Sequence, residues 1–146
     1  KYAVRCGGGF HYRFNLSDQI LIKDNHIQAT SRKPQATSLK EIIRKVKEKA
    51  KGKKIEIEVD NLSQFNEALK AAPDIIMLDN FKISDIKKAV QLRNSIRNTQ
   101  YAIPKLEASG GISLKNVKKI ASCGVDFISI GALTHSAKSS DLSLET

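Results

Sequence analysis

The sequence predicts an α/β fold in which five parallel strands are covered by helices. Two observations carry this. Short apolar or alternating runs recur along the chain, and the segments after them place apolar residues at helical spacing behind a start signal. Strand–helix steps in series give crossover helices outside a parallel sheet.

Each element has its own reason. Gln19–Lys23 is a short apolar run between polar residues and reads as the first strand. Ser38, with Glu41 three residues later, forms a capping-box signature. Leu39, Ile42, Ile43, Val46 and Ala50 then follow at helical spacing, and Gly52 stops the helix. Lys54–Val59 alternates, with Ile55, Ile57 and Val59 on one face and Glu56 and Glu58 on the other. Asn61 and Gln64 suit the start of a helix whose apolar face is Leu62, Phe65, Leu69 and Ala72. Asp74–Leu78 reads as a buried strand ending at Asp79. Ser84 opens a helix through Ile86, Val90 and Arg93. Ile103–Ala108 is a strand followed by Ser109-Gly110-Gly111. Ser113 opens a helix through Leu114, Val117, Ile120 and Ala121, with Gly124 at the C-cap. Phe127–Ile130 is the last strand and ends at Gly131. Five strands are fewer than the eight of a closed α/β barrel. Either the sheet is open or the chain is the later part of a larger barrel.

Composition narrows the function. The 146 residues make one domain, and 40% apolar with 27% charged residues excludes a disordered or collagen-like chain. No apolar run approaches the ~20 residues of a membrane helix. The chain opens Lys1-Tyr2-Ala3-Val4-Arg5 without a visible targeting segment or an initiator Met and reads as a fragment, and a reducing cytoplasm is the compartment expected for its two cysteines. Cys6 and Cys123 lack metal-ligand spacing and read as free thiols. The net charge of +10 admits anionic partners. Ten of the 25 cations fall within residues 32–54, where no aromatic residue offers a stacking platform. That run is expected to face water, and no nucleic-acid partner is expected.

The chemically useful residues gather at strand ends. Lys23, Glu58, Asp79, Ser109-Gly110-Gly111 and Gly131 all lie at the carboxyl ends of the expected strands, where α/β folds place their sites. Glu58 and Asp79 are carboxylates that suit sugar hydroxyls and Mg²⁺; the alternative is that one of them only pairs with a lysine lining the barrel. Gly110-Gly111, and Gly131 one strand later, suit backbone N–H groups converging on a phosphate at a helix start. Gly7-Gly8-Gly9 reads as a flexible loop leading to Arg13. Arg13 and Lys23 together suit a small polycarboxylate, and Arg13 alone would be a surface residue. His26 and His135 have no second histidine at metal-ligand spacing, which excludes a zinc site. No nucleophile elbow or dinucleotide fingerprint occurs.

Several blocks carry a family resemblance: Lys1-Tyr2-Ala3-Val4-Arg5-Cys6-Gly7-Gly8-Gly9, Leu21-Ile22-Lys23-Asp24-Asn25-His26, Glu56-Ile57-Glu58-Val59-Asp60, Met77-Leu78-Asp79-Asn80-Phe81, Leu106-Glu107-Ala108-Ser109-Gly110-Gly111-Ile112 and Ser129-Ile130-Gly131-Ala132-Leu133-Thr134-His135-Ser136. In this order they resemble the quinolinate phosphoribosyltransferases, the carboxylating nicotinate-nucleotide pyrophosphorylases. The resemblance covers nearly the whole chain. It implies the later part of an incomplete TIM-like barrel, residues 1–146 being the C-terminal portion of the catalytic barrel domain, without the family's N-terminal domain. It implies transfer from phosphoribosyl pyrophosphate to quinolinate with decarboxylation, in de novo NAD biosynthesis. It assigns Arg13 and Lys23 to the quinolinate carboxylates. Glu58 and Asp79 fall to the ribose and Mg²⁺, and Ser109, Gly110, Gly131 and His135 to the 5′-phosphate. Tyr12 stands where the family usually has His, with His11 one place earlier; Tyr12 can donate a hydrogen bond but carries no imidazolium charge. The resemblance further implies a homodimer or higher oligomer with shared sites, and an inactive isolated piece. The rival readings are a related base phosphoribosyltransferase, such as the molybdenum-transport-associated paralogue, a basic nucleic-acid-binding module and a noncatalytic scaffold.

Overall fold

The computed structural model describes residues 2–10, 18–23, 39–96, 102–135 and 143–144. The elements in chain order are α1 (Tyr2–Cys6), β1 (Gln19–Ile22), α2 (Leu39–Lys49), β2 (Lys54–Val59), α3 (Leu62–Ala71), β3 (Ile75–Asp79), α4 (Ile83–Ser95), β4 (Lys105–Ser109), α5 (Val117–Ala121), β5 (Phe127–Ile128) and α6 (Ala132–His135). The strands form one sheet in the order β1-β2-β3-β4-β5, and every pair is parallel. This is the expected α/β architecture. Among the described residues β1 and β5 each have a single neighbour, as in part of a TIM-like barrel.

Register fixes which side chains share a face. Leu21 lies opposite Glu56 and Glu56 opposite Ile75. Glu58, Met77, Glu107 and Phe127 are successive partners across β2 to β5, and Asp79 partners Ser109. The alternate residues point the other way. Ile55, Ile57, Val59, Ile76, Leu78, Leu106 and Ala108 form the core with Ile43, Phe65, Ala68, Ile86, Ala89 and Ile120 from the helices. Ile57, Val59, Phe65, Ile76, Leu78 and Leu106 have no solvent exposure.

Two aspartates lock strand starts. Asp74 accepts from Ile55 N at 2.8 Å and donates its own N–H to Ile55 O at 3.0 Å. Asp126 repeats the device on Leu106, at 2.8 and 2.9 Å. Arg93 of α4 pairs with Asp126, tying that helix to the start of β5.

The helix starts follow local hydrogen bonding. Asn61 Oδ1 accepts from Gln64 N at 3.0 Å, and Gln64 Oε1 accepts from Asp60 N at 2.8 Å, so the expected cap of α3 is present. Ser84 does not open α4. Lys82 is the N-cap, with extended backbone and no side-chain cap bond, and Ser84 lies inside the first turn. Ser113 does not open α5 either. The Asn116 side chain accepts from Ser113 N at 2.8 Å and donates to Gly111 O at 3.0 Å. This local bonding holds 113–116 as a turn and delays the helix to Val117. The strand expected from Ile103 begins at Lys105, because Pro104 has no N–H to give a ladder. The strand expected over 127–130 shortens to Phe127–Ile128, although Ser129 N still bonds Ala108 O at 2.9 Å.

Gly7–Gly9 caps the end of α1 rather than forming an open loop. Gly7 N bonds Ala3 O at 3.1 Å and Gly9 N bonds Val4 O at 2.9 Å, so the glycines close α1. Gly8 supplies the left-handed residue, at φ 79°. Cys6 and Cys123 are free thiols, the first exposed and the second buried. Among the described residues no helix is long and apolar enough to cross a membrane.

Candidate active site at the carboxyl ends of the strands

The residues expected at strand ends stand there. Lys23 directly follows β1, and its Nζ lies 3.3 Å from Glu58 Oε2 near the end of β2. The Lys23 side chain is 49% exposed and that of Glu58 is 15% exposed. Glu58 is thus paired with a lysine, and the pairing is compatible with either reading of this acid. Because one partner is half in water, the pair is worth at most about 1 kcal/mol, and an incoming anion can compete for Lys23.

Asp79 ends β3, and its Oδ2 accepts from Asn80 Nδ2 at 2.8 Å. Ser109 ends β4 beside it, and its carbonyl accepts from Asn80 N at 2.9 Å. Gly110 follows at φ 84°; a Cβ built there would lie 2.2 Å from Asn80 Oδ1. That position tolerates only glycine, on both conformation and space. Gly131 lies under the His135 ring, where an added Cβ would meet Nε2 at 2.5 Å. The structure thus brings Lys23 to Glu58, Asp79 to Ser109 and Gly110, and Gly131 to His135, all at one end of the sheet. The glycine turn does not lead directly into a helix, since α5 starts only at Val117. Any anion contact at Gly110-Gly111 uses the turn itself rather than a helix terminus.

Residues 1–145 match the family model for the quinolinate phosphoribosyl transferase C-terminal domain. The chain belongs to this family. It is 47% identical to a probable carboxylating nicotinate-nucleotide pyrophosphorylase of Methanocaldococcus jannaschii, over 99% of this chain and 49% of the relative. It is 41% identical to the carboxylating nicotinate-nucleotide pyrophosphorylase of Mycobacterium leprae, over 99% of this chain and 48% of that protein. The crystal structure of the nicotinate-nucleotide pyrophosphorylase from Ehrlichia chaffeensis superposes with a TM-score of 0.77 at 44% identity, covering 93% of this chain and 45% of that one. The chain spans about half the length of the curated relatives it matches.

Two further acids lie on the site's face of the sheet. Glu56 is fully buried, and Gln19 Nε2 donates to its Oε2. Glu107 is 3% exposed and accepts from the Ser129 hydroxyl. Burial pushes the Glu107 carboxyl above its ordinary range, against the opposing effect of Ser129 and Glu56. The alternation of β2 places Glu56 beside Glu58 on this face but gives it no role. Glu107 lies inside the Leu106–Ile112 block, and its surroundings depend on a register that one strand cannot reveal. Tyr12, Arg13, His11 and His26 lie outside the described residues.

Proposed function

We propose that the protein carrying this chain transfers the phosphoribosyl group of phosphoribosyl pyrophosphate to quinolinate, with decarboxylation to nicotinate mononucleotide, pyrophosphate and CO₂. It would be a pentosyltransferase of NAD biosynthesis acting in the cytoplasm. The chain would be the C-terminal portion of the catalytic barrel, working as a homodimer or higher oligomer with an N-terminal domain and lacking turnover alone. One observation carries the reading: within this family's fold, a half-exposed lysine, two carboxylates and two glycine turns converge on the carboxyl end of one sheet.

The residues then take roles by their chemistry. Lys23, weakly held by Glu58, exchanges that partner for a quinolinate carboxylate, and Arg13 takes the second with Tyr12 donating a hydrogen bond. Displacement at the anomeric carbon builds positive charge on the ribose, and Asp79 and Glu58 are the carboxylates placed to stabilise it. Ser109, Gly110, Gly131 and His135 hold the 5′-phosphate. After transfer the pyridine nitrogen is cationic and stabilises the electron pair left on the adjacent ring carbon when its carboxylate departs as CO₂; a proton from water then takes up that pair to form the new C–H bond.

Mg²⁺ fits the donor set on one condition. No cluster of three or more ligating side chains occurs among the described residues. Mg²⁺ characteristically uses one or two carboxylates together with substrate phosphates and water, and Asp79 and Glu58 supply those two. Bound there, it would neutralise charge on the departing pyrophosphate.

The test is product identification with the full-length protein, phosphoribosyl pyrophosphate, and either quinolinate or nicotinate. Quinolinate is expected to yield nicotinate mononucleotide and CO₂. Turnover with nicotinate and none with quinolinate would refute the proposal.

A further inference from the structure

We infer that Asn80 is a positioning residue that locks the Asp79 carboxylate to the Gly110 turn, so that the acid at the ribose and the turn at the phosphate are held as one unit. The inference rests on the function proposed above and adds a residue that touches neither reacting atoms nor substrate.

Three features of Asn80 converge. Its amide donates to Asp79 Oδ2 at 2.8 Å, which sets the plane of that carboxylate. Its backbone N–H reaches across to Ser109 O at 2.9 Å, one bond past the last β3–β4 register pair. Its backbone is left-handed, at φ 54°, a conformation in which asparagine is several-fold enriched among non-glycine residues. That turn of the backbone carries the side chain over Gly110. There a Cβ would sit 2.2 Å from Asn80 Oδ1 and 2.8 Å from Asn80 N. The side chain therefore bonds back to the acid through its nitrogen and packs its oxygen against the turn. A residue whose only task was to end β3 would need the left-handed backbone and the N–H bond, and glycine supplies both. The amide is the part without a structural need, and it faces the two groups assigned to one substrate.

Asn80→Gly isolates that part. It keeps the backbone conformation and the bond to Ser109 and removes the side chain with its amide. In the full-length protein we expect its KM and dissociation constant for phosphoribosyl pyrophosphate to rise about tenfold, the scale of a lost hydrogen bond to a charged group. The KM for quinolinate stays within about twofold and the thermal midpoint is nearly unchanged. Asn80→Asp keeps the shape but sets a second carboxylate against Asp79, so its loss of affinity exceeds that of Asn80→Gly. A merely structural role would lower the midpoint and weaken both substrates together, and that result overturns the inference. Wild-type affinity in Asn80→Gly overturns it too. If the wild-type protein binds no phosphoribosyl pyrophosphate, the proposed function fails and the inference falls with it. Binding by wild type that survives intact in Asn80→Gly sinks the inference alone.

Discussion

The two faces of the sheet share one backbone and differ in almost everything else. On the helix side, Ile55, Ile57, Val59, Ile76, Leu78, Leu106 and Ala108 are buried against α2 to α5 in one continuous apolar cluster. On the opposite side the same strands present Glu56, Glu58, Asp79, Glu107 and Ser109, with Lys23 beyond β1 and Ser129 beyond β5. One face carries stability through non-directional burial. The other carries charge in a fixed arrangement, at a cost in desolvation that only ligation or pairing offsets. Parallel strands buried on both sides usually read as continuous apolar runs. The Glu-x-Glu of β2 is a departure of the kind that marks a functional face.

Substitutions on each face should behave accordingly. The largest expected effect is on the apolar side: Phe65 of α3 has no solvent exposure, and Phe65→Ala should cost about 3–5 kcal/mol. Urea unfolding of the full-length protein checks this, and a loss below about 1 kcal/mol would break the division between faces. Glu107→Gln should act in the opposite direction. The folded chain binds the Glu107 proton more tightly than the unfolded chain does. Wild-type stability therefore falls as pH rises from the ordinary carboxylate value through the raised one. Glutamine keeps an acceptor for Ser129 and has no charge to desolvate. We expect a gain on the order of 1 kcal/mol at neutral pH and a flatter pH dependence. Unfolding at about pH 5 and about pH 8 reads both quantities; a variant less stable at each would contradict the burial argument. The smallest effect lies on the solvated side of α2. The Arg44–Glu48 pair is exposed on both partners at 2.7 Å, and Arg44→Ala should change stability by less than about 0.5 kcal/mol. A loss above about 1 kcal/mol would mean that the cationic run is not a solvated face.

What the sequence made legible follows from how local each cause is. The apolar alternation of Lys54–Val59 and the run Ile75–Leu78 depend on one strand at a time, and both strands stand as expected. Asn61 with Gln64 is likewise a local signal, and α3 starts there. Ser84 and Ser113 carry the same type of signal and fail. At Ser113 a nearby asparagine captures the backbone first. At Ser84 the helix already starts one residue earlier, at Ile83. Glu58 and Asp79 were legible as acids at strand ends. The Lys23–Glu58 contact remained an alternative until the β1–β2 register, with Leu21 opposite Glu56, brought them together. The approach of Glu107 to Glu56 was not legible, because β3 separates the two strands and only three-dimensional register joins them.

The division between faces is tested most directly by Asp79→Asn in the full-length protein, with turnover and unfolding measured on the same preparation. Asp79 is half-buried at the end of β3 with its carboxylate held by Asn80, and asparagine preserves its size and an acceptor oxygen. Turnover of quinolinate and phosphoribosyl pyrophosphate should fall by about 10²-fold or more, while the unfolding free energy stays within about 0.5 kcal/mol of wild type. Turnover that is unchanged, or that falls only in step with lost stability, would contradict the assignment of this face to catalysis.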